Sequence, residues 1–349
     1  MLIFGLGRHS SIEFTMKRTV LLFLCGCILC LACPAHAKSR PITPEMILED
    51  LRSPRVKDVI IDSDTDNEMD DQYAIAYAIA SEKMRVLALH AAPFYDADNG
   101  RSTSFANGME LSYEEMERVL DVLGCRGKYP VFKGSEHSVS ENPEGFNPDN
   151  PAARNLVRIA RKARKPVYVL CLGMITNVAA ALRLDPSIKD KIVVVWLGTH
   201  SFSKKRLDEF NLRQDYMAGQ MVVNSGVPLV ILPASGKRGE GTQVLLVRQE
   251  EVEGFPGEGR VADFFKTELP REFHNPIHDP WKHIFWDIAA PGLVAHPEVF
   301  RLRIIPAPVL TDNHDFAFDS TRHKIVWMDS LDPEPIRSDL FRCLSSLSE

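Results

Sequence analysis

Six carboxylates crowd into ten consecutive residues, Asp62-Ser63-Asp64-Thr65-Asp66-Asn67-Glu68-Met69-Asp70-Asp71. Like charges a few ångströms apart repel by kilocalories even at a generous effective dielectric, so a fold that keeps them together must compensate. The start of a following helix offers a partial positive charge, worth about 1 kcal/mol at an exposed end. A divalent cation is the stronger answer, and an all-oxygen donor set favours calcium or magnesium over zinc or copper. The plain alternative is a solvated acidic loop in front of a helix. The apolar segments on either side of the run argue against it.

The segments that must position this run follow a regular order. Residues 56–61 read as a buried strand and residues 72–80 as a helix. Further strands are expected at 86–91, 167–172, 192–197, 227–232 and 323–328, and helices at 113–123, 176–182, 215–223 and 335–347. Strands alternating with helices imply an α/β fold, an open and mostly parallel sheet flanked by helices with a Rossmann-like core. Ligands of such sheets bind at the carboxyl ends of the strands, where the acidic run lies. No stretch rich in Pro, Gly or Ser separates two domains, so residues 38–349 are expected to form one catalytic domain.

Composition narrows the function classes. Of 349 residues 45% are hydrophobic, 25% charged and 8% aromatic, an ordinary globular balance. The formal net charge of −6 excludes a general nucleic-acid surface, which needs a basic stripe to neutralise phosphates. At the amino terminus, Met16-Lys17-Arg18, the apolar run 19–32 and Ala35-His36-Ala37 make the pattern of a secretory signal peptide. Residues 1–37 are therefore expected to be a leader whose true start is Met16, and the mature protein to be exported, periplasmic or secreted. The apolar run is too short to span a bilayer comfortably, so no stable membrane span is expected after processing. Leu31-Ala32-Cys33 loosely resembles a lipid-attachment site, but Cys30 stands where Leu is usual, so a lipoprotein ranks lower. Four of the seven cysteines lie in this segment; Cys125, Cys171 and Cys343 have no metal-like spacing and imply no disulfide framework.

A strand ending in D-x-D resembles the nucleophile motif of haloacid dehalogenase-type phosphatases, which wants Thr or Val two residues after the second Asp. Asp62-Ser63-Asp64 leads to Asp66, and Asp64-Thr65-Asp66 leads to Glu68, so neither frame fits. The run is much more similar to the nucleoside hydrolase signature D-T-D-x-G-x-D-D before an alanine-rich helix, here Asp64-Thr65-Asp66-Asn67-Glu68-Met69-Asp70-Asp71. It departs at Glu68, the usual Gly, in a way that resembles a D-N-E-x-D-D-Q branch of inosine/uridine-preferring homologues. Because Gly tolerates positive φ and Glu does not readily, the turn is expected to differ there.

Other strand ends agree with that resemblance. Leu172-Gly173-Met174-Ile175-Thr176-Asn177 is similar to the family's G-x-x-T-N segment, which implies a Leu172 backbone carbonyl on calcium. Glu209-Phe210-Asn211 with Asp215 resembles E-F-N-x-x-x-D, which implies Glu209 and Asn211 on ribose hydroxyls. Trp286-Asp287-Ile288-Ala289-Ala290, leading to His296-Pro297, resembles the late motif whose Asp is the last calcium ligand. His278-Asp279-Pro280 competes for that place, but Asp287 has the better spacing. For the family's loop Asn, Asn99 is the candidate, with Asn107 and Tyr95 competing.

The resemblance implies a calcium-dependent hydrolase of the N-glycosidic bond of ribonucleosides, releasing free base and ribose. Asp66, Asp71, the Leu172 carbonyl and Asp287 would hold the ion, with Asp66 as general base toward water. Asp70, Asn99, Glu209 and Asn211 would orient the sugar, and Trp286 would stack on the base. The leaving-group acid is unassigned: Trp286 occupies the place where another branch has His, while His200 is either a pocket residue or a structural hydrogen-bonder. A calcium-bound nucleoside- or sugar-binding protein without turnover is the competing class, and the retained Asp66 and Asp70 favour catalysis over it. Homo-oligomers are common in the family. Base preference is not written in these motifs.

Overall fold

The apolar runs pair in register into one sheet. The computed structural model describes residues 41–95, 100–273 and 280–348; the leader segment with Cys33, Asn99, and His278 with Asp279 lie outside the described residues. The strands are β1 (Lys57–Ser63), β2 (Met84–Ala91), β3 (Val131–Lys133), β4 (Val167–Cys171), β5 (Ile192–Leu197), β6 (Leu229–Leu232), β7 (Leu246–Arg248), β8 (Lys282–Ile284), β9 (Phe300–Pro306), β10 (Val309–Leu310), β11 (Phe316–Ala317) and β12 (Lys324–Leu331). Eight of them form a sheet ordered β3-β2-β1-β4-β5-β6-β12-β9. Every neighbouring pair is parallel except β12 with the edge strand β9. The expected open, mostly parallel α/β sheet is thus the observed one. Among the described residues no helix is long and apolar enough to cross a membrane.

Alternate side chains of a strand leave opposite faces, and both faces of this sheet are covered, which is why its central strands are apolar throughout. Val59, Ile61, Leu170, Val195 and Leu232 enter one core with the helices Asp70–Ala80, Phe105–Val122, Ala289–Ala295 and Pro333–Leu347. Ile60, Val169, Val194, Trp196 and Ile231 enter the other, against Pro151–Lys162, Thr176–Leu184 and Tyr216–Asn224.

Helix Asp70–Ala80 decides the character of the site. Its residues Asp70 through Ala78 are all buried, and a helix apolar on every side is an interior helix. Tyr73 packs on Phe265 and Phe285 at ring separations of 4.9 and 4.5 Å. Its hydroxyl donates to the Phe265 carbonyl at 2.5 Å. Full burial of side chains of this size contributes about 1.5–3 kcal/mol each, enough to carry the carboxylates of the first turn out of water with them.

The sequence pattern predicts a helix start at residue 72; the helix begins at Asp70, so Asp70 and Asp71 form its first turn. The strands β3 and β9 and the helices Pro44–Arg52 and Pro151–Lys162 are additions to the predicted elements. The reversal in strand order falls between the parallel neighbours β1 and β4, from which the succession of strands proceeds to opposite edges of the sheet. Such a switch point opens a crevice at the carboxyl ends of the two strands.

Candidate active site

At that crevice β1 ends at Ser63, and Asp64 through Met69 make the turn into helix Asp70–Ala80. Met69 caps the helix without a side-chain hydrogen bond. Ser63 donates its hydroxyl to Asp71, and lies 2.6 Å from the Thr65 hydroxyl. Behind the turn, Asp62 is fully buried and accepts from the Asn177 amide at 3.1 Å, which ties β1 to the helix after β4.

The cleft, with room of about 230 Å³, is walled by five segments. The β1 turn contributes Asp64, Asn67, Glu68, Asp70 and Asp71; the end of β4 contributes Leu172. The loop after β5 brings Leu197, His200 and Asp208 through Asn211, and the loop after β6 brings Ala234 and Ser235. Trp286 and Asp287 come from the segment after β8, which the β7–β8 ribbon holds in place through the Phe285 amide on the Leu245 carbonyl at 2.9 Å. Asp70 accepts from the Asp287 backbone amide at 3.0 Å, joining residues 217 positions apart.

Carboxylate oxygens of Asp70, Asp71 and Asp287 lie within 4.8 Å of one another, and all three residues are buried. Burial pushes Asp71 and Asp287 well above the usual carboxylate range, and the neighbouring carboxylates push further in the same direction. Asp64 is pushed up to about 8 by burial, then by the charges of Glu68, Asp70 and Glu209. Asp70 goes to about 7, by burial and then Glu68. Buried carboxylates this close are held together by a proton or a cation between them. An oxygen-only, over-charged and desolvated donor set is what a hard divalent ion requires, so these residues fit a metal.

Glycine at 173 is a requirement of this packing: a Cβ there would stand 2.5 Å from the Asp64 Oδ1. Asn211 donates to the carbonyls of Leu172 at 2.5 Å and Leu197 at 3.0 Å. Glu209 accepts from the amides of Thr199, Asn211 and Leu212 at 3.1, 3.1 and 2.9 Å, and its burial raises it to about 7.

Nine of the expected site residues are described, and eight of them line this cleft: Asp70, Asp71, Leu172, His200, Glu209, Asn211, Trp286 and Asp287. Asp66 does not. Its backbone takes φ +112, and its carboxylate turns to Arg101, 2.5 Å from the guanidinium, while the Arg101 Nε donates to its carbonyl at 2.5 Å. The left-handed position of the turn therefore falls at Asp66, not at Glu68, and this explains how Glu stands where the family signature has Gly. Asp64, to which the motifs assign no ligand or base role, lines the cleft where Asp66 does not. Asp215 lies outside the cleft as a structural clamp, accepting from the amides of Val139, Ser140 and Ala218 and from the Thr176 hydroxyl. Ser235 and Asp208 are cleft residues that the sequence motifs do not mark, although Ser235 follows a strand end and the same positional rule points to it.

An open α/β sheet with buried acids at its switch point defines a hydrolase-like site for a small polar ligand. The family model described as inosine-uridine preferring nucleoside hydrolase matches residues 59–315. The pyrimidine-specific ribonucleoside hydrolase RihA of Escherichia coli O127:H6 is 26% identical over 252 residues, which cover 62% of this chain and 76% of that protein. The same-named protein of Klebsiella pneumoniae strain 342 is 28% identical over 191 residues, 48% of this chain and 58% of its own. In solved structures, the purine-preferring ribonucleoside hydrolase from Gardnerella vaginalis shares the fold with TM-score 0.63 at 18% identity, over 84% of this chain and 99% of that one. A plant nucleoside hydrolase does so with TM-score 0.61 at 17% identity, over 83% and 99%. The chain belongs to the inosine-uridine preferring nucleoside hydrolase family. It is an enzyme of N-glycosidic bond hydrolysis, in a family that depends on a metal.

Proposed function

We propose that this enzyme hydrolyses ribonucleosides in a calcium-dependent reaction, with Asp64 as the general base. The observation that carries the reading is the meeting of Asp64, Asp70, Asp71 and Asp287 as buried carboxylates at one cleft, with oxygens of the last three within 4.8 Å of one another. Asp64, Asp71, Asp287 and the Leu172 carbonyl would hold the ion. Calcium accepts six to eight oxygen ligands in flexible geometry, which suits carboxylate and carbonyl oxygens from three separate segments better than the strict octahedron of magnesium. When bound, the ion supplies charge compensation and Lewis-acid polarisation.

The chain's own residues supply the rest. A compensated Asp64 falls from about 8 toward the range in which a carboxylate takes a proton from water near neutral pH. Asp70 fixes Asp287 through its amide and offers its other oxygen to a sugar hydroxyl. Glu209 and Asn211, clamped by backbone groups, receive further hydroxyls of the ribose, and Trp286 covers the base. Holding the sugar in one pose before attack lowers the entropic part of the barrier, and the oxocarbenium-like sugar that forms is stabilised by the surrounding carboxylates. The amino-terminal pattern supports export of the mature chain.

Ribose release from inosine and uridine, measured with calcium and again with EGTA, tests this reading. Release that EGTA stops and calcium restores is the expected result. A calcium-bound protein that frees no ribose from any nucleoside would leave only the binding-protein alternative.

A further inference from the structure

The wall of the cleft supplied by the loops after β5 and β6 carries a connected chain of polar groups. His200 Nε2 lies 3.3 Å from the Asp208 carboxylate, and His200 Nδ1 lies 3.0 Å from the Ser235 hydroxyl. All three residues line the cleft, and His200 is the histidine that does so among the described residues. His283, by contrast, pairs with Glu68 at 3.2 Å and does not line it.

The histidine is held by the backbone around it. Thr199, fully buried, takes φ +70, a left-handed conformation rare for a β-branched residue. Its amide is bound to Glu209 and its carbonyl to the Ala234 amide at 3.0 Å. The Ser201 amide reaches the Ser235 carbonyl at 2.8 Å. The two loops are thus zipped together on both sides of His200 and Ser235. Strain of this kind persists where surrounding contacts over-determine it, commonly at functional sites. Past Lys237 and Arg238 in the same loop, Glu240 is engaged with Ser201 and Ser203; burial lowers the His200 imidazole from its usual range, Asp208 raises it and Lys204 lowers it.

We infer that Asp208, His200 and Ser235 form the proton-delivery chain that protonates the departing base. The inference rests on the hydrolase reading above. As water attacks C1′ and gives a proton to Asp64, the C1′–N bond breaks and its electron pair goes to the base. The base takes the Ser235 hydroxyl proton, and Ser235 takes the Nδ1 proton of a His200 that enters the step doubly protonated and leaves it neutral. Asp208, largely exposed, orients the imidazole and lets His200 recover its proton from solvent, while Asp64 returns one. Asp208 acts here as a positioning residue.

The test compares two substrates of one enzyme. Inosine or uridine needs its leaving group protonated; p-nitrophenyl β-D-ribofuranoside releases a stable nitrophenolate that needs no proton. His200→Asn should lower kcat on the nucleoside by about 100-fold or more, the usual worth of general acid catalysis, with under tenfold loss on the nitrophenyl riboside. Ser235→Ala should give the same selective pattern, and Asp208→Asn, a change at an exposed side chain, a weaker version of it. Equal losses on both substrates, or no loss on the nucleoside in any of the three variants, would overturn the chain while leaving the hydrolase reading intact. A wild-type enzyme that cleaves neither substrate would overturn both.

Discussion

The two walls of the cleft hold polar groups on opposite terms. On the β1 side, burial pushes the pKa of Asp64, Asp70, Asp71 and Asp287 upward, and neighbouring carboxylates, Glu68 among them, add to it. On the β5–β6 side, His200, Ser235 and Asp208 bond to each other, and Glu209 is met by three backbone amides. One wall stores repulsion that only a proton or a cation relieves; the other is satisfied as it stands. Such a division lets a single cleft bind a metal and take a proton on one side while giving a proton on the other.

The largest effects should come from disturbing the unsatisfied wall. Asp287→Ala removes an acid from the cluster; calcium affinity by titration calorimetry should fall at least about 100-fold, a loss that altering even indirect supports of a metal site can reach. Gly173→Ala leaves the cluster's composition alone and displaces only Asp64, since the new Cβ meets its Oδ1 at 2.5 Å. A misplacement of that order should cost about 100-fold in kcat, with the circular dichroism spectrum unchanged.

The stored repulsion also has a pH signature. With EGTA present, the folded protein holds Asp64 and Asp70 at about 8 and 7, against about 3.9 for an unfolded Asp. Between those values the folded state binds more protons than the unfolded one, so stability should fall as pH rises from about 4 through about 8. Calcium should flatten that fall, raising the melting temperature more at pH 8 than at pH 5. A metal-free protein that grows steadily more stable over the same range would contradict the electrostatic account of this wall. The smallest effect belongs to Arg101→Ala, which frees Asp66 at the rim of the turn: about 1 kcal/mol in chemical denaturation, and under tenfold in kcat.

How much of the fold and site is legible in the sequence follows from what each signal depends on. Strand ends are marked by apolar runs, so pattern places Leu172 at the end of β4, while Glu209 and Asp287 are reached through the resemblance to family motifs; all three line the cleft. The choice between Asp64 and Asp66 depends on something finer. Asp62, Asp64 and Asp66 alternate, so spacing alone treats them alike; which one enters the cleft is set by β1 ending at Ser63 and the chain turning left-handed at Asp66. A left-handed Asp leaves no Gly to mark it. The strand β3 is three residues long and half-buried, too short to show a period. The Asp208–His200–Ser235 chain joins two loops through contacts that no local pattern encodes.

The most direct test sets the two candidate bases against each other. Asp64→Asn and Asp66→Asn should be assayed side by side for ribose release from inosine and uridine at saturating calcium. Loss of about 10³-fold or more in Asp64→Asn, with under tenfold in Asp66→Asn, is the predicted outcome. Full activity in Asp64→Asn together with a dead Asp66→Asn would contradict the account.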